Sequence, residues 1–204
     1  MSSAPESRGR STTESTPAAD GRASYLTAAN GLTLLRLVLT IPSALAIAAG
    51  HWIAAAVMFT VAAITDYFDG RLARRHNQAS VIGGLFDHAT DALYVTSCLA
   101  AAALNGQIIA LLPVLIPLAF TQYLLDSKVL AGQPLRGNRL GRFNGIAYFT
   151  LAGVCIGQPL LVQLGLPLPA VLVSLAALAL CATTLLSMLI RGVYWWRLRR
   201  PGSG

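Results

Sequence analysis

The chain has 204 residues, of which 55% are hydrophobic and only 11% charged, and its mean hydropathy of +0.61 excludes an ordinary soluble domain, where charged residues run to about a quarter. Its net charge of +7 does not point to nucleic acid, because that partner requires the basic residues gathered on an exposed face of a soluble module. The bilayer is the expected solvent, and the length suits one domain, since about six spans of roughly 20 residues each take up nearly everything after the first thirty.

Residues 1–22 are rich in Ser, Thr, Pro and Ala and hold no apolar run, so they are expected to be a disordered tail and not a cleaved secretory signal. Residues 23–30 are expected to lie along the membrane interface, with a turn at Asn30 and Gly31. Hydropathy then predicts apolar segments near 31–50, 53–72, 81–104, 108–129, 143–164 and 168–190, each long enough to span. Breakers punctuate the run: Gly50 and His51, Asn105 and Gly106, and residues 165–169. At the far end, Trp195 and Trp196 beside Arg197, Arg199 and Arg200 have the composition of an interfacial anchor on an anionic leaflet. The expected layout is therefore a tail (1–22), a six-helix membrane domain (23–192) and a basic aromatic tail (193–204). Cys98, Cys155 and Cys181 each fall in an apolar segment without ligand spacing, which predicts small buried residues, not a disulfide framework or a zinc site.

The basic residues decide the orientation. Arg8, Arg10 and Arg22 lie in the tail, Arg36 early in the first span, and Arg71, Arg74 and Arg75 after the second. Lys128, Arg136, Arg139 and Arg142 follow the fourth, and Arg191, Arg197, Arg199 and Arg200 end the chain. With six spans all fifteen fall near one side and the three opposite turns carry none, so the positive-inside rule places both termini in the cytosol.

Acidic residues are fewer. Glu6, Glu14 and Asp20 belong to the tail, leaving Asp66, Asp69, Asp87, Asp91 and Asp126 in the membrane body. Ionisable groups at membrane depth are costly and mark functional sites. Asp66 and Asp69 are spaced i,i+3 and Asp87 and Asp91 i,i+4, so each pair projects from one helix face. If the second and third spans are antiparallel neighbours across the loop 75–80, the two pairs converge at the cytosolic end. Four such carboxylates repel unless a cation sits among them, and oxygen ligands favour Mg2+ or Mn2+, with room for two ions. Arg74, two turns beyond Asp66, is placed to meet a diphosphate with its guanidinium fork. Gly70 and Gly83 fall within helical runs, where a glycine permits close approach of a ligand or a helix.

The segment 66–91, DYFDGRLARRHNQASVIGGLFDHATD, carries Asp-x2-Asp-Gly-x2-Ala-Arg-x8-Gly-x3-Asp-x3-Asp at every fixed position, namely Asp66, Asp69, Gly70, Ala73, Arg74, Gly83, Asp87 and Asp91. This resembles the signature of the CDP-alcohol phosphotransferase family, and the opening NGLTLLRLVLTIP at 30–42 and the six-span layout are similar to the family too. The resemblance implies that Asp66, Asp69, Asp87 and Asp91 hold two divalent metals, with Asp91 also the base for the incoming hydroxyl. It implies that Gly70, Ala73, Arg74 and Gly83 line the CDP site, that the donor is CDP-diacylglycerol, and that CMP leaves as an alcohol attacks phosphorus in line. It further implies a homodimer surrounded by lipid; the compact chain and the lack of an evident organelle-targeting segment lead us to expect a bacterial cytoplasmic membrane, and the placement of charge leads us to expect no nucleic-acid partner.

The acceptor is left open among glycerol phosphate, an inositol compound, phosphatidylglycerol and a less familiar alcohol. Glycerol-phosphate members commonly have proline after the third Asp and lysine after the fourth, where this chain has His88 and Ala92, and their span-four Arg-acid pair is replaced by FTQYLLDSK at 120–128. A phosphorylated acceptor needs cations, and Lys128, Arg136, Arg139 and Arg142 are the candidates; Asp126 is expected to pair with Lys128, and His88 to line the site and not to bind metal. An ion transporter is the competing class, but it calls for acids near the midplane in both halves of the chain. A membrane scaffold is disfavoured, because clustered acids without a ligand only destabilise it.

Overall fold

The computed structural model describes residues 28–76, 81–127 and 139–199, with the side chains of 28–30, 32, 66–76, 81–83, 126–127, 195 and 197–199 outside the description. The described residues form six α-helices and no strand: α1 (Ala28–Ala48), α2 (Trp52–His76), α3 (Val81–Leu104), α4 (Leu111–Ser127), α5 (Arg139–Gln163) and α6 (Ala170–Arg199). They correspond one to one with the apolar segments expected from hydropathy. Two differences stand out. Helix α1 already runs through Asn30 and Gly31, so there is no turn there, the apolar residues that follow being able to continue the helix without a break. Helix α6 continues through the aromatic and basic stretch to Arg199, because nothing between 192 and 199 breaks it. The expected tail 1–22 and loop residues 77–80 lie outside the described residues.

Three of the turns share one construction. Gly50, Gly106 and Gly165 have φ of 74°, 72° and 74°, the left-handed region that a side chain disfavours. After α1, Gly50 N–H donates to Ile47 O at 3.0 Å and His51 N–H to Ala46 O at 2.8 Å. The pairs Gly106 to Ala103 and Gln107 to Ala102 repeat this after α3, and Gly165 to Val162 and Leu166 to Leu161 after α5. Each is a Schellman cap, which uses up carbonyls that the helix end would otherwise leave bare. Side chains tie these turns to their neighbours: Asn105 Nδ2 donates to Ile47 O at 2.7 Å and Gln107 Nε2 to Cys155 O at 2.8 Å.

The helices close into a ring in the order α1, α2, α5, α6, α4, α3, with α3 also touching α5 across it. Among the described residues, α2 and α3 are not broadly packed neighbours; α1 packs on both. Helix α1 lays a polar face against α3, and α2 meets α3 directly through an aromatic cluster, while the ends of α2 and α3 that carry the expected convergence of the two aspartate pairs have their side chains largely outside the described ones. Phe59 of α2 lies 6.3 Å, centroid to centroid, from Tyr94 of α3 and 4.7 Å from Phe149 of α5. A Cβ at Gly153 would meet Phe59 Cε1 at 3.1 Å, so a glycine in α5 makes room for that ring.

Polarity is arranged opposite to that of a soluble protein. Leu45, Ile53, Leu118, Leu164, Leu175 and Leu189 are exposed, while Arg36, Thr40, Ser43, Thr90, Asn144, Thr184 and Ser187 are buried. An apolar exterior around polar interior bonds is what a hydrocarbon solvent selects. Two helices, Arg139–Gln163 and Ala170–Tyr194, are long and apolar enough to cross a membrane, and shorter apolar helices cover Thr33–Ala48, Trp52–Thr65 and Leu111–Leu125. The cysteines Cys98, Cys155 and Cys181 are buried and free, as expected.

Candidate active site

The site begins with a polar stripe on α1. Thr33, Arg36, Thr40, Ser43 and Ile47 recur every three or four residues and are all buried, so this stripe, not an apolar one, faces the interior. It forms a seam with α3. At one end Arg36 Nη1 donates to Asp87 Oδ1 at 3.4 Å and also pairs with Asp91 Oδ1, and Thr33 Oγ1 donates to Asp87 Oδ1 at 3.4 Å. Midway, Ser43 Oγ and Tyr94 OH share a hydrogen bond of 3.2 Å.

The i,i+4 spacing of Asp87 and Asp91 does place both carboxylates on one face of α3, each about one-third exposed, against an Arg36 side chain that is 0% exposed. Asp87, His88 and Asp91 each offer a ligand atom, all within 4.8 Å of one another. Two carboxylates and an imidazole at this separation fit a divalent ion, the oxygens favouring a hard one. Histidine 88, expected only to line the site, thus also comes within reach of such an ion. Asp66 and Asp69 lie in the last turns of α2, with Gly70, Ala73 and Arg74; the side chains of these residues, and Gly83, lie outside the described ones.

On its other side Asp91 opens into a cavity of about 670 Å3 between α3, α4, α5 and α6. Around its walls are His88, Tyr123, Arg142, Asn144, Tyr148, Thr184, Ser187 and Arg191. Arg191 lies over the Tyr123 ring, 4.7 Å from its centroid, a cation–π contact that holds the guanidinium at the wall. A Cβ at Gly141 would meet Arg191 Nη2 at 3.5 Å, so a small residue there leaves Arg191 its place. Tyr148 OH and Thr184 Oγ1 are 2.5 Å apart, and Gln122 Nε2 donates to Met188 O at 2.9 Å, fastening α6 to α5 and α4. Asn144 is buried, and its Oδ1 has no hydrogen-bond partner among the described residues, which leaves an acceptor for a polar ligand.

Of the four acceptor candidates, Arg142 lines this cavity, Arg139 is exposed at the start of α5 without lining it, and Lys128 and Arg136 lie outside the described residues, as does the side chain of Asp126. Arg36 and Arg191 are the functional side chains that sequence reasoning missed. Both were counted only as cytosolic-side charge. The signal for Arg36 was its place in a buried-face repeat with Thr33, Thr40 and Ser43; Arg191 had no comparable signal, since only helix packing brings it to Arg142.

A carboxylate pair beside a cavity with two arginines on its wall, in an apolar helical ring, has the charges to hold a divalent ion and a phosphate-bearing ligand. The chain belongs to the CDP-alcohol phosphatidyltransferase family, whose model matches residues 26–198. Among curated proteins it is 39% identical over 94 residues to the "Probable phosphatidylglycerophosphate synthase" of Mycobacterium tuberculosis, covering 43% of this chain and 45% of that protein. It is 52% identical over 42 residues to the Escherichia coli CDP-diacylglycerol--glycerol-3-phosphate 3-phosphatidyltransferase, 21% of this chain and 23% of that one. It is 47% identical over 45 residues to the CMP-forming cardiolipin synthase of Streptomyces coelicolor, 22% of this chain and 21% of that one. These matches span less than half the length of each relative.

Proposed function

We propose that the protein transfers a phosphatidyl group from CDP-diacylglycerol to a water-soluble alcohol bearing a phosphomonoester, releasing CMP and supplying phospholipid synthesis. The observation that carries this reading is the position of Asp91, shared between the carboxylate pair and the cavity lined by Arg142 and Arg191. Asp66, Asp69, Asp87 and Asp91 would hold the divalent ions, which when bound neutralise the diphosphate. Gly70, Ala73, Arg74 and Gly83 would take the CDP group. Asp91 accepts the hydroxyl proton of the acceptor, whose oxygen then forms the new bond to phosphorus as the bond to CMP breaks. Arg142 and Arg191 orient the acceptor's phosphate by charge-assisted hydrogen bonds, and Asn144 offers Oδ1 to one of its hydroxyls. Supporting a phosphorylated acceptor, two of the three relatives above are named for making or using glycerol phosphate lipids.

The same reading takes residues 23–192 as one membrane domain of six spans between the tails 1–22 and 193–204, with both ends and the site on the cytosolic side of a bacterial membrane and two copies per molecule. The three capped turns, which lack charge, and the basic ends of the helices support that orientation. CMP release by the purified protein in nanodiscs, with CDP-diacylglycerol, Mg2+ or Mn2+ and a panel of acceptors, tests the chemistry. Glycerol 3-phosphate or inositol phosphate should support release, whereas serine, inositol and phosphatidylglycerol should not. Release with phosphatidylglycerol alone would replace this acceptor class with a lipid.

A further inference from the structure

We propose that Arg36 is a built-in counter-ion: it holds Asp87 and Asp91 together while no divalent ion is bound and, by offsetting their charge, weakens the binding of that ion. The inference rests on the reading of Asp87 and Asp91 as metal ligands. Its first support is burial. The Arg36 side chain is 0% exposed, and a guanidinium cannot shed its proton, so its charge must be matched by anions inside the protein. Its second support is the choice of partners. One nitrogen, Nη1, serves both Asp87 Oδ1 and Asp91 Oδ1, on the two carboxylates that lie with His88 in the candidate metal site.

A third support is that Arg36 sits in a seam whose neighbouring polar groups are themselves hydrogen-bonded. Thr33, one turn earlier, is hydrogen-bonded to Asp87, Thr40 Oγ1 donates to Arg36 O at 3.0 Å, and Ser43 bonds Tyr94 across the same seam. A cation entering beside Asp87 and Asp91 therefore meets a resident positive charge at close range, and the two repel. Conversely, without Arg36 the two like-charged carboxylates, held on one face of α3, repel each other. Removing the arginine should thus act in opposite directions on the metal-free fold and on metal affinity. Loss of packing alone does not predict that combination.

The test uses the full chain in nanodiscs, with free Mn2+ followed by electron paramagnetic resonance and unfolding temperature measured in chelator and in Mn2+. Arg36→Gln should bind Mn2+ on the order of tenfold more tightly than the parent, unfold at a lower temperature in chelator, and regain most of that loss in Mn2+. Arg36→Lys, which keeps the charge, should bind Mn2+ within about twofold of the parent. Adding Asp87→Asn to Arg36→Gln should restore metal-free stability, the non-additivity expected of an interacting pair. Equal or weaker Mn2+ binding by Arg36→Gln overturns the proposal, as does Arg36→Lys binding like Arg36→Gln. If Arg36→Gln folds only with Mn2+, the counter-ion role is supported; if it folds under neither condition, rescue by Asp87→Asn supports the role and failure of rescue overturns it. A parent protein that binds no Mn2+ would instead remove the metal reading itself.

Discussion

Asp91 is the residue on which two environments meet, a carboxylate pair backed by Arg36 and a cavity walled by Arg142 and Arg191. Asp91→Asn keeps the shape but removes the basic oxygen, so CMP release should fall by about a hundredfold or more while the protein still folds, as judged by size-exclusion profile and unfolding temperature. The two arginines should behave differently from Asp91. Arg142→Ala or Arg191→Ala removes a charged hydrogen bond to the acceptor of about 1.5–3 kcal/mol, which is roughly a tenfold to hundredfold rise in the acceptor KM. The KM for CDP-diacylglycerol should stay near that of the parent, and steady-state kinetics with each substrate varied in turn separates the two. A phosphorylated acceptor should show this loss far more than an uncharged one. Of these residues, Asp87 and Asp91 were legible in the sequence because i,i+4 spacing on a helix is a local property. Arg191 was not, because its partner Tyr123 is on a helix distant in the chain.

Among the elements, the three Schellman caps and the α1 seam do different work. Gly106 stands at φ 72°, where a side chain costs roughly 1–2 kcal/mol. Gly106→Val should lower the unfolding temperature by a few degrees and leave the acceptor KM unchanged, since the turn lies at the opposite end of α3 from Asp87. Gly153 offers a sharper packing test. A Cβ there would come to 3.1 Å from the Phe59 ring, so Gly153→Leu should push α5 and α2 apart and lower stability by about 1–3 kcal/mol, the usual range for overpacking. Phe59→Leu in the same chain should recover part of that loss by shortening the side chain that clashes; thermal unfolding of the single and double variants measures it. The positions of the turns are legible in the sequence, because glycine beside a polar residue at Gly50 and Gly106, and glycine followed by Pro167 and Pro169 at Gly165, signal a chain reversal between apolar runs. That α1 faces inward with threonine, arginine and serine was not, since a reader of hydropathy sees a span and not which side of it meets protein.

For the whole molecule, the ring of six helices leaves apolar side chains such as Leu45, Leu118 and Leu189 outside and the polar seam inside. A single cysteine introduced at Gln107, in a capped turn, and another at Arg139, at a basic end, in a chain whose native cysteines are replaced, should react from opposite sides of a sealed vesicle. Labelling of both from one side would overturn the six-span orientation. Removing divalent ions with chelator should abolish CMP release, and adding back Mg2+ or Mn2+ should restore it, with the helical content by circular dichroism little changed, since the helices are held by backbone bonds and interior packing.

Sequence alone determined the helical class, the number of apolar segments, the places of the turns between them and the acidic signature, because each depends on residues within a few turns of one another and on the solvent they must face. The tertiary structure decided that α1 lies between α2 and α3, that Arg36 is turned inward onto Asp87 and Asp91, and that Arg142 and Arg191 share one cavity. These are contacts between segments far apart in the chain. In an apolar sequence almost any face of a helix can meet lipid, so it is the pairing of the few polar and charged side chains in the interior, each costly to leave unmatched, that selects how the helices are arranged.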